Sequence, residues 1–338
     1  MHVFICSPGF ESALIAELGG GELLCPGVVA LREARDVTDS DAVFGRQILP
    51  DATVVSGASI RELADGALSI VQPRLEQNAG AWRLDVVAPT SIDDNEPAGA
   101  LARRAALVGE RLIAILKERR RRLVTLRTDD ARAARVQLVL VDRERLVVSV
   151  ATPAPLACGG LWPSPFVGGR ATVADDWDAP SSAFRKLVEA LAWMGADIAG
   201  GERVVDFGAA PGGWSHVALK RGASVIAVDR ADIDPRVARN PRLTHVRRTA
   251  FSFEPEEPPV DWVLCDVIAT PEKSLALLER WVERSWCRRF VFHLKFKGRG
   301  DYGLARDAVK TAQGAGFAAV RAKHLFHDKN EVTIWGAR

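Results

Sequence analysis

The chain has 338 residues, of which 48% are hydrophobic and 26% charged, and its formal net charge is +2. At roughly 100–200 residues per domain this length predicts two or three domains, and the composition excludes disordered, collagenous and disulfide-scaffold proteins. No run approaches the ~18 apolar residues that a membrane span requires, and the N-terminus lacks a basic signal segment. Five cysteines without a CxxC pair argue against a zinc site and predict a reducing cytoplasm.

The first 75 residues predict a small α/β unit. Residues 2–6 and 28–32 are short apolar runs that predict strands. Between them, residues 12–18 predict a helix, because Ser12 is a suitable cap and three glycines follow Leu18. We therefore assign residues 1–75 to a first domain.

Residues 76–152 predict a second unit of the same kind. Residues 82–87 alternate as a strand, and residues 100–121 carry apolar side chains at helical spacing. Two further apolar runs, 136–141 and 146–150, are separated by a polar tetrapeptide and predict a hairpin. The long helix candidate is the most basic part of this unit.

The net charge of +2 conceals an uneven distribution of charge along the chain. Residues 1–100 contain six Arg and fifteen Asp or Glu, whereas residues 101–135 contain eleven Lys or Arg and four Asp or Glu. The candidate residues for binding an anionic polymer such as RNA are Arg103, Arg104, Arg111, Lys117, Arg119, Arg120, Arg121 and Arg122. A solvated helix face is the alternative, but arginine clusters also bind phosphate backbones and release counterions.

Residues 153–180 predict a linker, because they contain five prolines and two glycine pairs. From residue 181 onward, strand-like and helix-like segments alternate, which predicts βαβ units and a mainly parallel, doubly wound sheet over residues 181–338. The predicted strands are 204–207, 225–228, 243–246, 262–265, 290–294, 319–322 and 332–335. Ligands of such sheets bind beyond the carboxyl ends of the strands.

The turn after the first of these strands is rich in glycine. It reads DFGAAPGGW over residues 206–214 and precedes a predicted helix. An ordinary turn is one interpretation, and a loop that lets its backbone approach a ligand is the other. The GxGxxG and GxxxxGK[ST] patterns of dinucleotide and triphosphate sites are absent. Asp229 ends the next strand, where dinucleotide enzymes and methyltransferases both place an acid, so it does not distinguish them.

The string DFGAAPGGW resembles the S-adenosylmethionine loop of the FtsJ-like ribose 2′-O-methyltransferases, whose pattern is D-x-G-x-x-P-G-G-[WF]. The resemblance implies a Rossmann-like class I methyltransferase sheet and S-adenosylmethionine as the cofactor, without a metal. It assigns cofactor binding to Asp206, Gly208, Ala210, Pro211, Gly212, Gly213, Trp214, Asp229, Thr249 and Asp266. Thr249 departs from the family pattern, which has an aspartate there that binds adenine.

The same family carries a Lys-Asp-Lys-Glu tetrad, and this chain offers a residue for each position. The four are Lys186, Asp266, Lys295 and Glu331. The resemblance implies that Lys295 is the base, that Lys186 orients the ribose hydroxyl, and that the two carboxylates position the lysines. A lysine can accept a proton only in its neutral form, which burial and neighbouring cations favour and neighbouring carboxylates oppose.

The resemblance extends over nearly the whole chain. The strings PGFE at 8–11, FGRQ at 44–47, APSS at 179–182 and HDKNEVT at 327–333 are similar to the bacterial 23S rRNA cytidine 2′-O-methyltransferases. That family implies a ferredoxin-like N-terminal domain and a THUMP-like RNA-binding domain. It also implies 23S rRNA as the partner, with no membrane and no obligate protein partner.

Two alternatives stay open from the sequence. One is an RNA-binding protein with weakened or lost catalysis, which Thr249 motivates. The other is a methyltransferase for another RNA or a small molecule.

Among the remaining residues, we expect Trp82, Trp193, Trp262, Trp281 and Trp335 in the core. His324 and His327 lack a third metal ligand and are expected to be structural, with His327 supporting Glu331.

Overall fold

The computed structural model describes residues 1–32, 42–88, 99–156, 160–298 and 302–338. Contacts divide the chain into two compact units, one of Met1–Leu156 with Leu161–Arg170 and one that runs over Ala171–Arg338. Within these described ranges, no helix has both the length and the apolar character to cross a membrane.

The first unit begins with a four-stranded antiparallel sheet in the order β2-β3-β1-β4. Its elements are β1 (His2–Ile5), α1 (Glu11–Leu18), β2 (Glu22–Cys25), β3 (Val28–Leu31) and β4 (Gln47–Leu49). The helix ends at Gly19, which adopts the left-handed conformation, as the glycine run predicted. Val3, Ile5, Val28 and Leu49 are buried together and hold this sheet.

A second four-stranded sheet completes the first unit in the order β5-β8-β7-β6, with only β6 and β7 parallel. Its elements are β5 (Thr53–Ser56), α2 (Ile60–Asn78), β6 (Trp82–Val87), α3 (Ala100–Arg119), α4 (Arg121–Thr125), β7 (Ala134–Leu140) and β8 (Arg145–Ala151). Leu63 and Val71 of α2 share a core with Leu112 and Leu116 of α3. The apolar spacing therefore predicted α3 correctly, although that helix ends two residues before the expected position.

The structure places β5 and α2 with the second sheet, whereas we assigned residues 1–75 to the first domain. The sequence analysis missed α2, although Ser59 and Glu62 form a start signal. The hydroxyl of Ser59 accepts a hydrogen bond from the Glu62 amide, and the Glu62 carboxylate accepts one from the Ala58 amide. The ferredoxin-like and THUMP-like assignments and their boundaries stay predictions.

Residues of the expected linker contain two short strands, β9 (Ala154–Pro155) and β10 (Leu161–Trp162), and a 3₁₀ turn at Val167–Gly169. Residues 157–159 lie outside the described residues. The side chain of Gln47 fixes part of this segment, because it donates to the carbonyls of Ser164 and Phe166 and accepts from the Ser164 amide.

The second unit is a seven-stranded sheet in the order β13-β12-β11-β14-β15-β17-β16. Its elements are α5 (Phe184–Met194), β11 (Arg203–Phe207), α6 (Gly213–Lys220), β12 (Ser224–Val228), α7 (Pro235–Ala238), β13 (Leu243–Val246), β14 (Val260–Cys265), α8 (Pro271–Glu283), β15 (Cys287–Lys295), α9 (Gly303–Gly314), β16 (Ala319–Lys323) and β17 (Glu331–Ala337). The first five strands in the sheet are parallel, and β17 pairs antiparallel with β15 and β16. The predicted α/β sheet is confirmed.

The sheet register positions the carboxyl ends of β11, β14 and β15 at one edge. Lys295, the last residue of β15, is the register partner of Glu331, the first residue of β17. An antiparallel neighbour therefore begins where the parallel strands end. The five tryptophans expected in the core are at most 3% exposed, which confirms that expectation.

Candidate active site

The glycine loop packs tightly against the chain that leaves β14. Gly208 has a φ of +72°, and a Cβ atom on it would lie 2.9 Å from both Cα and N of Val267. Gly212 has a φ of +116°, and a Cβ atom on Gly213 would lie 2.6 Å from the Ser181 hydroxyl. Glycine is required at these positions by backbone conformation or by close approach.

Asp206 lies behind the loop and is 1% exposed. Its carboxylate accepts a hydrogen bond of 2.7 Å from the Ser215 hydroxyl in α6. Burial raises the pKa of Asp206 to about 7, with a smaller contribution from the negative charge of Asp266. The arrangement joins the end of β11 to the first turn of α6.

A cavity of about 340 Å³ opens in front of the loop, within the size range of ligand pockets. Five of the ten predicted cofactor residues line it, namely Gly208, Ala210, Asp229, Thr249 and Asp266, and Lys295 does so too. Asp229 is held in place because its two carboxylate oxygens accept hydrogen bonds from the amides of Ala210 and Ala231. These residues fit an adenosine-containing cofactor, since Asp229 retains lone pairs for ribose hydroxyls.

The other five predicted cofactor residues do not line the cavity but flank Gly208 and Ala210 along the chain. Trp214 is 3% exposed, and its indole donates a hydrogen bond of 2.9 Å to the carbonyl of Ala183. Pro211 follows a cis peptide bond, and Gly212 and Gly213 lead into α6. Their placement shapes the loop from which the cavity opens.

The structure brings the four predicted catalytic residues into one cluster. Nζ of Lys186 on α5 donates to Oε1 of Glu331. Nζ of Lys295 lies 2.8 Å from Oδ1 of Asp266 and donates to the Asp266 main-chain carbonyl at 2.9 Å. Each lysine therefore contacts one carboxylate, and the register pairing of Lys295 with Glu331 joins the two pairs.

Mutual charge stabilises the ionised forms of this cluster. Burial opposes ionisation of Asp266, but the positive charge of His293, its hydrogen bond and the two lysines hold the pKa of Asp266 well below its usual range. Burial also opposes the charge of Lys186, but Asp266 and Glu331 raise its pKa above the ordinary value. Burial is likewise overcome at Glu331, whose pKa His293 and Lys186 lower.

Two residues that the sequence analysis missed support this cluster. His293 is fully buried, and its Nδ1 lies 3.0 Å from Oδ1 of Asp266. It precedes Lys295 by two positions on a strand, a spacing that places both side chains on one face and could have revealed it. Glu189 lies one helical turn after Lys186, and its buried carboxylate accepts hydrogen bonds from the amides of Phe326 and His327.

We expected His327 to support Glu331, and this expectation is wrong, because His327 contacts a different residue. Nδ1 of His327 lies 2.7 Å from Oε2 of Glu189 instead. The contact is structural, because it fixes the turn between β16 and β17 to α5. It holds the chain segment from which Glu331 emerges.

Asp266, His293 and Glu331 also present potential metal ligands, since their ligand atoms lie within 4.8 Å of one another. The two carboxylates, however, already contact the ammonium groups of Lys295 and Lys186. Two neighbouring ammonium groups oppose the binding of a further cation. We therefore interpret the group as a charge network and not as a metal centre.

The predicted RNA-binding residues lie on or beside α3 and α4 in the first unit. All are exposed except Arg104, which is half-buried and donates to the carbonyls of Arg143 and Ala58. Arg120 lies 2.7 Å from the Glu76 carboxylate. The others are in no ion pair within the described residues, and we call these eight residues the basic surface.

Comparison with known proteins identifies the catalytic part of the chain. Residues 180–282 match the model of the FtsJ-like methyltransferase family. The chain is 32% identical to the ribosomal RNA large subunit methyltransferase M of Serratia proteamaculans, over 90% of this chain and 81% of that protein. It is 30% identical to the Edwardsiella ictaluri protein of the same name, over 98% and 94%.

These matches confirm the predicted methyltransferase and identify S-adenosylmethionine as its cofactor. They extend along nearly the whole chain and cover both units. The chain belongs to the ribosomal RNA large subunit methyltransferase M family.

Proposed function

We propose that the protein methylates the ribose 2′-hydroxyl of a cytidine in 23S rRNA and acts in the cytoplasm. The observation that carries the proposal is the joined cluster of Lys186, Glu331, Lys295 and Asp266 beside the glycine-loop cavity. The names of the relatives support a large-subunit rRNA as substrate. The motif resemblance supports the ribose and the cytidine.

The cavity residues are proposed to bind the cofactor. S-adenosylmethionine, when bound, supplies a methyl group that its sulfonium has already activated. Asp229 would accept hydrogen bonds from the cofactor ribose, and the hydroxyl of Thr249 would face the adenine end. Asp206 and the loop from Gly208 to Trp214 would hold the methionine end, with Asp206 acting from behind the loop.

The cluster residues are proposed to prepare the hydroxyl of the substrate. Neutral Lys295 would take the proton from the 2′-hydroxyl as the oxygen attacks, since general bases act at hydrogen-bond distance. Lys186 would orient the same hydroxyl. Asp266 would position Lys295, and Glu331 would position Lys186.

The basic surface is proposed to bind the phosphate backbone of the rRNA. Its exposed side chains project from α3, from the short helix α4 and from Arg120 between them. RNA helices are recognised largely through phosphates and 2′-hydroxyls, which guanidinium groups can contact without reading base edges. The basic surface would therefore supply affinity, and the cavity would select the nucleotide.

Mapping of 2′-O-methyl groups in total rRNA tests the proposal. The encoding organism is compared with a strain that lacks this gene and with that strain after complementation. We expect one 23S cytidine to lose its methyl group on deletion and to regain it on complementation. An unchanged methylation map would overturn the proposed substrate.

Two further measurements separate the remaining alternatives. An RNA-binding protein that has lost catalysis, which Thr249 motivates, would bind RNA without measurable affinity for S-adenosylmethionine. A methyltransferase for a small molecule would keep its activity when the basic surface is neutralised, whereas an rRNA enzyme would lose affinity for its substrate.

A further inference from the structure

One carboxylate oxygen in the active site contacts two cationic side chains. Oδ1 of Asp266 lies 3.0 Å from Nδ1 of His293 and 2.8 Å from Nζ of Lys295. His293 is fully buried, so water does not compete for this hydrogen bond. The proposed mechanism gives roles to Asp266 and Lys295 but none to His293.

The other side of the His293 ring faces a second acid. Nε2 lies 3.8 Å from Oδ1 of Asp328, and neither atom has a hydrogen-bond partner within the described residues. The acid is fixed in place, because its Oδ2 accepts hydrogen bonds from the Leu325 amide and the Thr333 hydroxyl. The ring of Trp214 packs edge-on against the imidazole, with centroids 4.9 Å apart.

These neighbours favour a positively charged His293. Burial opposes the charge, but Asp266 with its hydrogen bond, and then Asp328 and Glu331, raise the pKa of His293 above its ordinary value. The cations nearest to these acids are Lys186, which contacts Glu331, and Lys295, which contacts Asp266. The buried cluster therefore has three cationic side chains that share its acids.

Because one Asp266 oxygen contacts both side chains, Asp266 stabilises the ammonium form of Lys295 less strongly. A carboxylate that faces a lysine alone stabilises the ammonium form and so opposes its use as a base. A second donor on the same oxygen withdraws part of the negative charge that the lysine experiences. A nearby positive charge adds direct repulsion of the ammonium proton.

We propose that His293 is a positioning residue of the methyl transfer, which balances the charge of Asp266 so that Lys295 can give up its proton before the hydroxyl attacks. This inference rests on the proposed function, in which Lys295 is the base. The proton balance is simple, because Lys295 releases one proton to solvent before each turnover and takes one from the ribose hydroxyl. His293 keeps its own proton throughout.

The same unit contains a matched control for this arrangement. Oδ2 of Asp176 lies 3.0 Å from Nε2 of His216 and 2.8 Å from Nζ of Lys220. A histidine and a lysine thus share one carboxylate oxygen at nearly the same two distances, but Lys220 is 60% exposed and belongs to no proposed catalytic group. Removal of that histidine tests the loss of a half-buried histidine–carboxylate contact without touching the cluster.

The experiment measures single-turnover methylation of the mapped rRNA segment from pH 6 to pH 10. The proteins are the wild type, His293→Asn, His293→Leu and His216→Asn. Asparagine can still donate to Asp266 but carries no charge, whereas leucine removes both the charge and the hydrogen bond. A nearby charge shifts a titration by roughly one to three pH units, so we expect the midpoint of the rising limb to move up by about one unit in both His293 variants.

At a fixed pH below the midpoint, the rate should fall by about tenfold for each pH unit by which the midpoint moves up. The midpoint of His216→Asn should stay at the wild-type value. A wild-type midpoint in a folded His293→Asn protein would overturn the proposal, because the charge would then have no effect on the base.

A direct measurement keeps the test valid if the His293 variants fail to fold. The ring protons of His293 in the wild-type protein are followed by NMR as the pH rises, with the signal identified by sequential assignment. We expect His293 to keep its proton to a pH above the ordinary histidine value, because Asp266 and Asp328 favour its charged form. Titration at the ordinary histidine value would overturn the proposal. If the wild type methylates no rRNA, the proposed function fails, whereas this titration still reports on His293.

Discussion

The active-site cluster and the basic surface both contain many charged side chains, but they differ in the burial and the ion pairing of those side chains. In the cluster, the side chains of Lys186 and Glu331 are 14% and 7% exposed and contact each other directly. On the basic surface, Arg119, Arg121 and Arg122 are exposed and in no ion pair within the described part of the chain. Buried charges depend on their partners for stability, whereas exposed charges are separately hydrated and free to meet phosphates.

This difference predicts how each region responds to mutation. Removal of one member of the cluster leaves an unpartnered buried charge and also removes a chemical role, so single substitutions should have large effects. Removal of one arginine from the basic surface should have a small and nearly additive effect, since the side chains act separately.

Lys295→Ala should remove the proposed base. We expect the methylation rate to fall by about 10²–10⁴-fold, the usual contribution of a general base, while affinity for RNA and S-adenosylmethionine changes little. Single-turnover methylation and calorimetric cofactor binding measure the two properties. Wild-type activity in this variant would exclude Lys295 as the base.

Gly208→Ala should weaken cofactor binding. The new Cβ atom would lie 2.9 Å from the Val267 backbone, and the φ of +72° adds a conformational strain on the order of 1–3 kcal/mol. We expect a lower melting temperature and at least tenfold weaker binding of S-adenosylmethionine.

Gly201→Ala is the matched control for that variant. Gly201 also has a positive φ, of +83°, but no atom lies within 4 Å of a Cβ placed on it. It should lose some thermal stability and keep its cofactor affinity. Equal cofactor affinities in the two variants would show that the close approach at Gly208 does not shape the cofactor pocket.

Combined substitution of Arg119, Arg121 and Arg122 by Gln should weaken RNA binding modestly at low salt. Each lost phosphate contact should reduce the slope of log K against log[salt] by roughly 0.7–0.9. Arg61→Gln is the control, because Arg61 already faces Asp65 at 3.7 Å on α2. An unchanged slope in the triple variant would mean that the basic surface is only a solvated helix face.

Local sequence patterns predicted the catalytic unit well for a physical reason. Its strands contain short apolar runs, and the glycine loop has a distinctive spacing. The predicted strand 290–294 lies within β15, and the predicted strand 332–335 lies within β17. The order of elements along the chain was therefore sufficient to bring Asp266 and Lys295 to one edge.

Contacts between distant parts of the chain could not be predicted in this way. Glu189 binds the turn that contains His327, 138 residues later, and no local pattern links the two. His293 was overlooked because an apolar run explains its burial without a partner.

The insertion of β17 between β15 and β16 affects when the enzyme can become active during synthesis. A nascent chain that has released β15 and β16 from the ribosome still lacks the strand that joins them. It also lacks Glu331, so Lys186 has no partner and the cluster cannot close. Methylation activity should therefore appear in one step, only after β17 has emerged from the exit tunnel and folded into the sheet.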